Sequence, residues 1–162
     1  MKNISIIAAI GKNLELGKNN QLIWKFKEDM QFFKKYTINK PIVMGYNTFI
    51  SLPKLLPNRL HIVLTSKKIE LGEQVIVVNS IDELLEKIIN YPEVMVIGGA
   101  SIYKQMLEYS DKMYLTEIDA EAKDADVYFP KFNKKEWDSK LLSEQVEDNI
   151  KFKHLVYTRK NK

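Results

Sequence analysis

The sequence predicts an α/β fold in which helices pack on a β-sheet. Short β-branched segments alternate along the chain with segments of helical periodicity, which is typical of a sheet flanked by helices. Of the 162 residues, 45% are hydrophobic and 28% are charged, as in an ordinary globular protein with a substantial core. We find no internal repeat, low-complexity segment or flexible linker, so we expect a single domain over residues 1–162.

The apolar segments predict strands at residues 4–10, 42–44, 61–64, 75–78 and 94–97. The last four of these lack polar alternation, which favours interior strands that are buried on both faces. Two later segments alternate better, as expected of antiparallel strands near an edge, and cover residues 113–118 and 151–158. The predicted sheet is therefore mixed.

Segments of helical periodicity between these strands predict helices at residues 27–36, 47–51, 81–90 and 102–109. Ser80 precedes the third helix and is a typical N-cap residue. Glu83, three residues later, completes the pattern of a capping box.

Composition excludes several kinds of site. The chain has no cysteine and only two histidines, His61 and His154, so we expect neither disulfides nor a metal site. The acidic residues between 117 and 126 lack EF-hand spacing and indicate a solvated loop. Both histidines are interpreted as exposed or hydrogen-bonded structural residues, and His154 has no evident carboxylate partner.

The net charge of +4 and the pI of about 9.0 suit nucleic acid and small polyanionic ligands equally well. The basic residues are scattered along the chain. The first apolar run is too short to span a membrane and lacks a cleavage pattern, so we expect a cytoplasmic protein without a membrane partner.

Asp29 is the first candidate for a functional side chain. On the predicted helix it shares one face with Met30, Phe33 and Thr37. A carboxylate on an apolar face is costly unless it is paired or used. Alternatively, it simply stabilises the amino terminus of the helix.

A second candidate is the pair Gly98-Gly99, which follows a predicted strand and precedes a helix. Glycines allow a ligand to approach the backbone, and a helix amino terminus can bind phosphate. The pattern is not the G-x-G-x-x-G fingerprint, and an ordinary strand-to-helix turn explains it as well. Gly45 and Leu64 also end strands and are followed by polar residues, so together these strand ends indicate a nucleotide crevice.

The chain resembles the dihydrofolate reductase family over nearly its whole length, in both the order and the spacing of five groups of residues. The matching residues are Ile7-Ala8-Ala9 with Leu16-Gly17 and Trp24; residues 29–37; residues 39–45 with Thr48-Phe49, Ser51, Leu56-Pro57 and Arg59; residues 96–99 with Ile102-Tyr103; and Leu115-Thr116 with residues 118–120, Asp126 and residues 128–130. The resemblance implies a mixed, mostly parallel sheet of about eight strands flanked by about four helices. It also implies a monomer that reduces 7,8-dihydrofolate with NADPH.

The resemblance implies that Asp29 is the only ionisable side chain in the pterin pocket, where it binds the amidine-like edge of the ring and assists protonation at N5. Trp24 and Leu22 would complete the catalytic set, and Thr116 would brace Asp29. Arg59 would pair with the α-carboxylate of the glutamate tail. The other implied substrate residues are Ile7, Ala9, Met30, Phe33, Leu52, Lys54, Ile97 and Tyr103.

For NADPH, the resemblance implies a cis bond between the two glycines and a mobile lid at residues 11–25 that closes over the nicotinamide. The implied cofactor residues are Ala9, Leu16, Gly17, Asn20, Gln21, Gly45, Tyr46, Asn47, Thr48, Leu64, Thr65, Ser66, Lys67, Ile97, Gly98, Gly99, Ala100, Ser101, Ile102 and Tyr103.

Three positions depart from the family pattern. Ile23 stands where a proline is common, Tyr46 where many members have arginine, and Ser101 where many bacterial members have a basic residue. The 2′-phosphate would then depend on Thr65, Ser66 and Lys67, with Lys68 as a further candidate.

Two other functions fit parts of the sequence. A riboflavin-pathway reductase shares the architecture, but its substrate has no glutamate tail for Arg59. A nucleic-acid-binding module would require aromatic residues exposed on a sheet face, whereas Phe32, Phe33 and Phe49 fall in helical patterns. We therefore expect no nucleic-acid partner.

Overall fold

The computed structural model describes residues 3–19 and 21–160. The strands are β1 (Ile4–Ile10), β2 (Glu15–Lys18), β3 (Gln21–Leu22), β4 (Pro41–Gly45), β5 (Leu60–Leu64), β6 (Val75–Val78), β7 (Val94–Gly98), β8 (Lys112–Ile118), β9 (Val127–Tyr128), β10 (Trp137–Glu147) and β11 (Ile150–Arg159). The α-helices are α1 (Lys27–Thr37), α2 (Tyr46–Ser51), α3 (Ile81–Ile88) and α4 (Ala100–Met106), and two 3₁₀ turns cover Leu107–Tyr109 and Lys134–Glu136.

Eight strands form the central sheet, in the order β10-β11-β8-β1-β7-β4-β5-β6. The six strands from β8 to β6 in this order run parallel to one another, while β11 pairs antiparallel with β8 and with β10. The predicted mixed, mostly parallel sheet with four helices is therefore confirmed. A second, antiparallel sheet in the order β3-β2-β9 joins the predicted lid to a later segment of the chain.

Buried apolar side chains cover both faces of the central sheet. One cluster is built around β1, β7 and α4, and another around β4 and α1. Each Å² of apolar surface that is removed from water stabilises the folded state by about 25 cal/mol. These clusters therefore make the main contribution to the stability of the fold. A third cluster consists of Phe26, Ile118 and Phe152, and the partly buried Trp24 packs against it.

Two strand predictions were wrong in placement, and one long strand was missed. β6 was expected inside the sheet but is its edge, because side-chain alternation reports the two faces of a strand and not its lateral neighbours. β8 was expected near an edge, yet it lies between β1 and β11 with most side chains buried. β10 was not predicted, because most of its side chains are exposed and leave no apolar pattern.

The helix ends also differ slightly from the prediction. α3 stops at Ile88 rather than residue 90, and α4 begins at Ala100 rather than Ile102. Ser80 caps α3 as predicted, since its Oγ accepts a hydrogen bond from Glu83 N at 3.1 Å. The Glu83 carboxylate accepts from Asn79 N at 2.7 Å instead of from the backbone of Ser80.

Across the described ranges, 3–19 and 21–160, no helix is both long enough and apolar enough to cross a membrane.

Candidate active site

A cleft of about 1270 Å³ opens where the parallel strands β4, β5 and β7 end. Helix α1 forms one wall, the start of α2 and α4 another, and the lid contributes residues from β2 and β3. The cleft brings together most of the residues that the sequence suggested, namely Ile7, Ala9, Leu16, Gly17, Leu22, Asp29, Met30, Phe33, Gly45, Tyr46, Asn47, Thr48, Leu52, Arg59, Leu64, Thr65, Ser66, Lys67, Ile97, Gly99, Ala100, Ser101, Ile102, Tyr103 and Thr116.

Three of the suggested residues do not line the cleft. The partly buried Trp24 packs against the cluster of Phe26, Ile118 and Phe152, where its large apolar surface is covered. Lys54 is exposed, because the backbone bends after α2 and presents the neighbouring Pro53 to the cleft instead. Gly98 lies beneath Tyr103.

Two further suggested residues belong to the lid. Asn20 lies outside the described residues. Gln21 contributes its backbone to β3, and its side chain is not described.

The cleft also contains residues that were not predicted, among them Lys25, Phe32, Lys34, Ser51, Pro53, Leu56, Asn79, Ser80, Ile81, Gln105 and Val127. The two lysines and Phe32 lie beside predicted residues on or before α1, so helical periodicity could have suggested them. Asn79 follows a strand end, as the predicted Thr65 does, and this shared position was the available signal.

Asp29 is the only carboxylate among the described residues that line the cleft. Its side chain is 15% exposed and its Oδ1 accepts a hydrogen bond of 2.5 Å from Thr116 Oγ1. Thr116 is buried on β8, so the central sheet fixes the carboxylate of the first helix. An acceptor-only group at the edge of an apolar cleft is suited to bind a ligand with neighbouring N–H donors.

The structure pairs His154 with the Asp29 carboxylate, a partner that is not evident in the sequence. The two residues are 125 positions apart in sequence, yet His154 Nε2 lies 3.2 Å from Asp29 Oδ1. The pairing of β11 with β8 places His154 opposite Thr116, and both therefore reach the same carboxylate. No local sequence pattern reports such a register.

Tyr103 closes the floor of the cleft beside the two glycines. Its hydroxyl donates to Ile7 O at 2.7 Å, and burial, with a contribution from the negative charge of Asp29, raises the pKa of Tyr103. Gly98 has φ of 120°, and the Gly98-Gly99 peptide bond is cis, as the resemblance implied. A side chain at position 98 would meet the Tyr103 ring at 3.3 Å, which favours glycine there.

Arg59 also lines the cleft. Its Nε donates to Thr37 Oγ1 at 3.0 Å and its Nη1 to Pro57 O at 3.2 Å. Burial lowers the pKa of Arg59 below its usual value, but a guanidinium remains charged at physiological pH. The fixed cation is suited to bind a carboxylate.

The backbone around His61 supports that arginine. His61 is 1% exposed, its Nε2 accepts from Leu56 N at 3.0 Å, and its Nδ1 lies 3.1 Å from Arg59 O. Burial lowers the pKa of His61, which favours the neutral imidazole that these contacts require. His61 is therefore a hydrogen-bonded structural residue.

A polar corner of the cleft is formed by the ends of β5 and β6. Asn79 Nδ2 donates to the carbonyl oxygens of Thr65 and Lys67 at 2.7 and 2.9 Å, and so fixes the turn between them. The Lys67 ammonium lies 4.2 Å from the centre of the Tyr46 ring. The hydroxyls of Thr65 and Ser66 with this cation are suited to bind a phosphomonoester.

The lid is joined to the loop before β9. Asp126 N donates to Gly17 O at 3.0 Å, and Asp126 Oδ2 accepts from Asn19 N at 2.9 Å. Lys18 and Asp124 form an exposed ion pair at 2.7 Å. In the part of the chain that is described, no cluster of three or more His, Asp or Glu side chains could hold a metal ion.

Comparison with known proteins connects this geometry to a family. The family model described as dihydrofolate reductase matches residues 3–159. The chain is 37% identical over 155 residues to the dihydrofolate reductase of Buchnera aphidicola subsp. Baizongia pistaciae, covering 96% of this chain and 93% of that protein. It is also 37% identical over 161 residues to the dihydrofolate reductase of Haemophilus influenzae, covering 96% and 98%.

Among solved structures, the fold matches the dihydrofolate reductase from Enterococcus faecalis complexed with NADP(H) and RAB-propyl. The TM-score is 0.89 at 30% sequence identity, and the match covers 98% of this chain and 97% of that chain. From the extent of these matches, the chain belongs to the dihydrofolate reductase family.

Proposed function

We propose that this chain reduces 7,8-dihydrofolate to 5,6,7,8-tetrahydrofolate with NADPH, and so supports one-carbon metabolism and the synthesis of thymidylate and purines. The observation that supports this most strongly is Asp29, the single carboxylate lining the cleft within the described ranges, fixed by Thr116. The fixed cation Arg59 and the two glycines lie in the same cleft.

The pterin ring fits the apolar section of the cleft around α1. Met30, Phe33 and Leu52 line that section, and Met30 is 62% exposed in this structure, as expected of a side chain that a ligand covers. Asp29 then accepts hydrogen bonds from the N–H donors of the amidine-like edge of the ring. The α-carboxylate of the glutamate tail pairs with Arg59.

The residues of the cleft also fit NADPH. Thr65, Ser66 and Lys67 supply hydroxyl donors and a cation for the 2′-phosphate, at the corner that Asn79 fixes. The glycine pair and Tyr103 would border the nicotinamide, and Tyr46 and Thr48 would border the phosphates. When bound, NADPH supplies the hydride for the reduction.

The residues of this chain position the reactants, exclude water from the cleft and hold the charges of the site. Leu16 and Leu22 of the predicted lid line the cleft. Closure of this segment over the bound ligands would exclude water and strengthen the interactions of Asp29 with the substrate. The Asp29 carboxylate favours a protonated ring and assists delivery of a proton to N5 through water. No covalent intermediate with the protein is required.

We also propose that the chain acts as a single-domain monomer in the cytoplasm, without a nucleic-acid or membrane partner. The scattered distribution of its basic residues supports this, because a nucleic-acid site requires cations gathered on one face.

The test is the oxidation of NADPH, followed by its absorbance, with and without 7,8-dihydrofolate. We expect turnover only when both are present, and a higher kcat/KM with NADPH than with NADH. Arg59→Ala should raise the KM for dihydrofolate by about a hundredfold and leave the KM for NADPH nearly unchanged, because a fixed charge pair with a carboxylate is lost. Lys134→Ala, which changes an exposed residue that does not line the cleft, is the control. Absence of dihydrofolate-dependent oxidation in the wild type would refute the proposed function.

A further inference from the structure

His154 lies behind the Asp29 carboxylate, and its ring is fixed on several sides. The residue is 3% exposed and does not line the cleft. Its imidazole stacks on Phe32, with ring centres 3.9 Å apart and planes inclined by 4°, and meets Phe152 at 5.6 Å in an edge contact. Aromatic packing thus determines the direction in which both ring nitrogens point.

Each ring nitrogen has a polar partner. Nδ1 lies 2.9 Å from Ser143 Oγ on β10, and Nε2 lies 3.2 Å from Asp29 Oδ1 on α1. A hydroxyl can either donate or accept, so Ser143 can satisfy Nδ1 whether or not that nitrogen carries a proton. The imidazole can therefore be neutral or charged at this position without losing either contact.

The two protein contacts of Asp29 converge on one of its oxygens. Thr116 Oγ1 and His154 Nε2 both bind Oδ1, and in the described part of the chain no side-chain partner is found for Oδ2. Oδ1 is thus held by β8 and β11, while Oδ2 keeps its lone pairs for a ligand in the cleft.

We propose that His154 is a positioning residue for the reduction, which fixes the Asp29 carboxylate through Oδ1 and couples its charge to the protonation of an imidazole. An Nε2–H donor stabilises the ionised carboxylate, and an imidazolium does so more strongly. The inference depends on the proposed function, since it assigns to His154 a part in the work of Asp29.

Of the described residues that hydrogen-bond to His154, Asp29 is the one with a charged side chain. Asp29 faces it from α1, the uncharged Thr116 from β8, and the uncharged Ser143 from β10. Its neighbour on β11, Lys153, is exposed and alternates to the other face of the sheet. Protonation of the imidazole therefore acts mainly on Asp29.

Two substitutions separate positioning from packing. His154→Phe keeps an aromatic ring between Phe32 and Phe152 but removes the donor to Asp29. His154→Gln places an amide N–H near the position of Nε2, so it keeps a donor that cannot titrate. Lys153→Gln, on the exposed side of the same strand, is the matched control.

We expect kcat/KM for dihydrofolate at neutral pH to fall about tenfold in His154→Phe, the size of effect expected for the loss of a hydrogen bond to a charged group. His154→Gln should recover most of this loss. In both variants the acid limb of the pH profile of kcat/KM should lie at higher pH than in the wild type, because no imidazolium remains to keep Asp29 ionised. Lys153→Gln should retain the wild-type profile.

The pair can also be observed without turnover. In ¹⁵N NMR spectra of the ligand-free protein, the Nε2 signal of His154 and its titration should change in Asp29→Asn relative to the wild type, while the signals of His61 stay in place. This measurement does not depend on the proposed function, so its outcome is separate from that of the activity assay. It also tests the contact between His154 and Asp29 if His154→Phe does not fold.

Wild-type rate and pH profile in His154→Phe would overturn the inference. So would a loss of rate that glutamine does not recover and that leaves the pH profile unchanged, because that result indicates packing alone. An Nε2 signal that is insensitive to Asp29→Asn would overturn it as well.

Discussion

The buried side chain of Glu15 accepts a hydrogen bond of 2.7 Å from Ala122 N, which lies 107 positions later in the chain. Its other oxygen accepts from Asn13 N at 2.7 Å. Burial disfavours the charged carboxylate, but these backbone donors outweigh that effect and lower the pKa of Glu15 below its usual value of 4.5. One carboxylate thus ties the first strand of the lid to the loop before β9.

Replacing Glu15 with glutamine should destabilise the protein at neutral pH by about 1–3 kcal/mol, because one of the buried backbone donors then faces an amide N–H rather than an acceptor. Stabilisation by a carboxylate of lowered pKa is present above its unfolded value and is lost as the pH falls through its folded value. The difference between wild type and variant should therefore shrink on acidification below about pH 4.5. Urea unfolding at several pH values measures it.

Glu70→Gln is the control for that series, because Glu70 is exposed. A Glu15→Gln variant as stable as this control at neutral pH would show that the carboxylate does not hold the two segments together.

His61 should make the region around Arg59 sensitive to pH. Its folded pKa is lowered by burial, so below about pH 6.5 the unfolded chain binds a proton that the folded protein resists, and stability declines as the pH falls. His61→Gln should lose this part of the pH dependence. Thermal unfolding at pH values above and below 6.5 provides the comparison, and an unchanged pH dependence in the variant would exclude His61 as its source.

Part of the fold could be predicted because buried segments have a recognisable pattern of apolar residues in the sequence. The bounds of β1 and β6 were predicted correctly, since each is a run of mostly apolar residues. The position of β6 at an edge depends on which strands pair with it, and the exposed β10 leaves no apolar pattern. Sequence periodicity reports the faces of an element but not its neighbours.

The candidate site could likewise be predicted only in part. Asp29, Thr116 and the glycine pair were suggested by residue type, position and family resemblance, and the structure brings them into one cleft except for Gly98. The contact of His154 with Asp29 was missed because it results from the register of β11 on β8. Trp24 and Lys54 were misplaced because the direction of a loop side chain is set by tertiary packing.

Thr37 should contribute to substrate binding although it is fully buried. Its Oγ1 accepts from Arg59 Nε and donates to Phe33 O at 2.7 Å, so it fixes the guanidinium from behind. Thr37→Val should raise the KM for dihydrofolate about three- to tenfold with little change in kcat, because a hydrogen bond to a charged group is lost. Thr158→Val, an exposed threonine on β11, is the control. A change in kcat alone would contradict this role.

Lys67 should determine much of the preference for NADPH over NADH. With Tyr46 and Ser101 at positions where basic residues are common in the family, Lys67 is the cation at the polar corner next to Thr65 and Ser66. Lys67→Gln should raise the KM for NADPH about tenfold, the loss expected for one charge-assisted contact, and the KM for NADH less than about twofold. Lys134→Gln, which changes an exposed lysine that does not line the cleft, controls for net charge, and equal changes for both cofactors would contradict the assignment.

The most direct test of the account is the rate of the Asp29→Asn variant at different pH values. Asparagine cannot carry the negative charge that favours a protonated ring, so kcat/KM for dihydrofolate should fall by about a hundredfold or more at neutral pH. The deficit should be smaller at low pH, where the substrate is already protonated in solution. An Asp29→Asn enzyme with the wild-type kcat/KM at neutral pH would contradict the central claim that this carboxylate binds and helps to protonate the pterin.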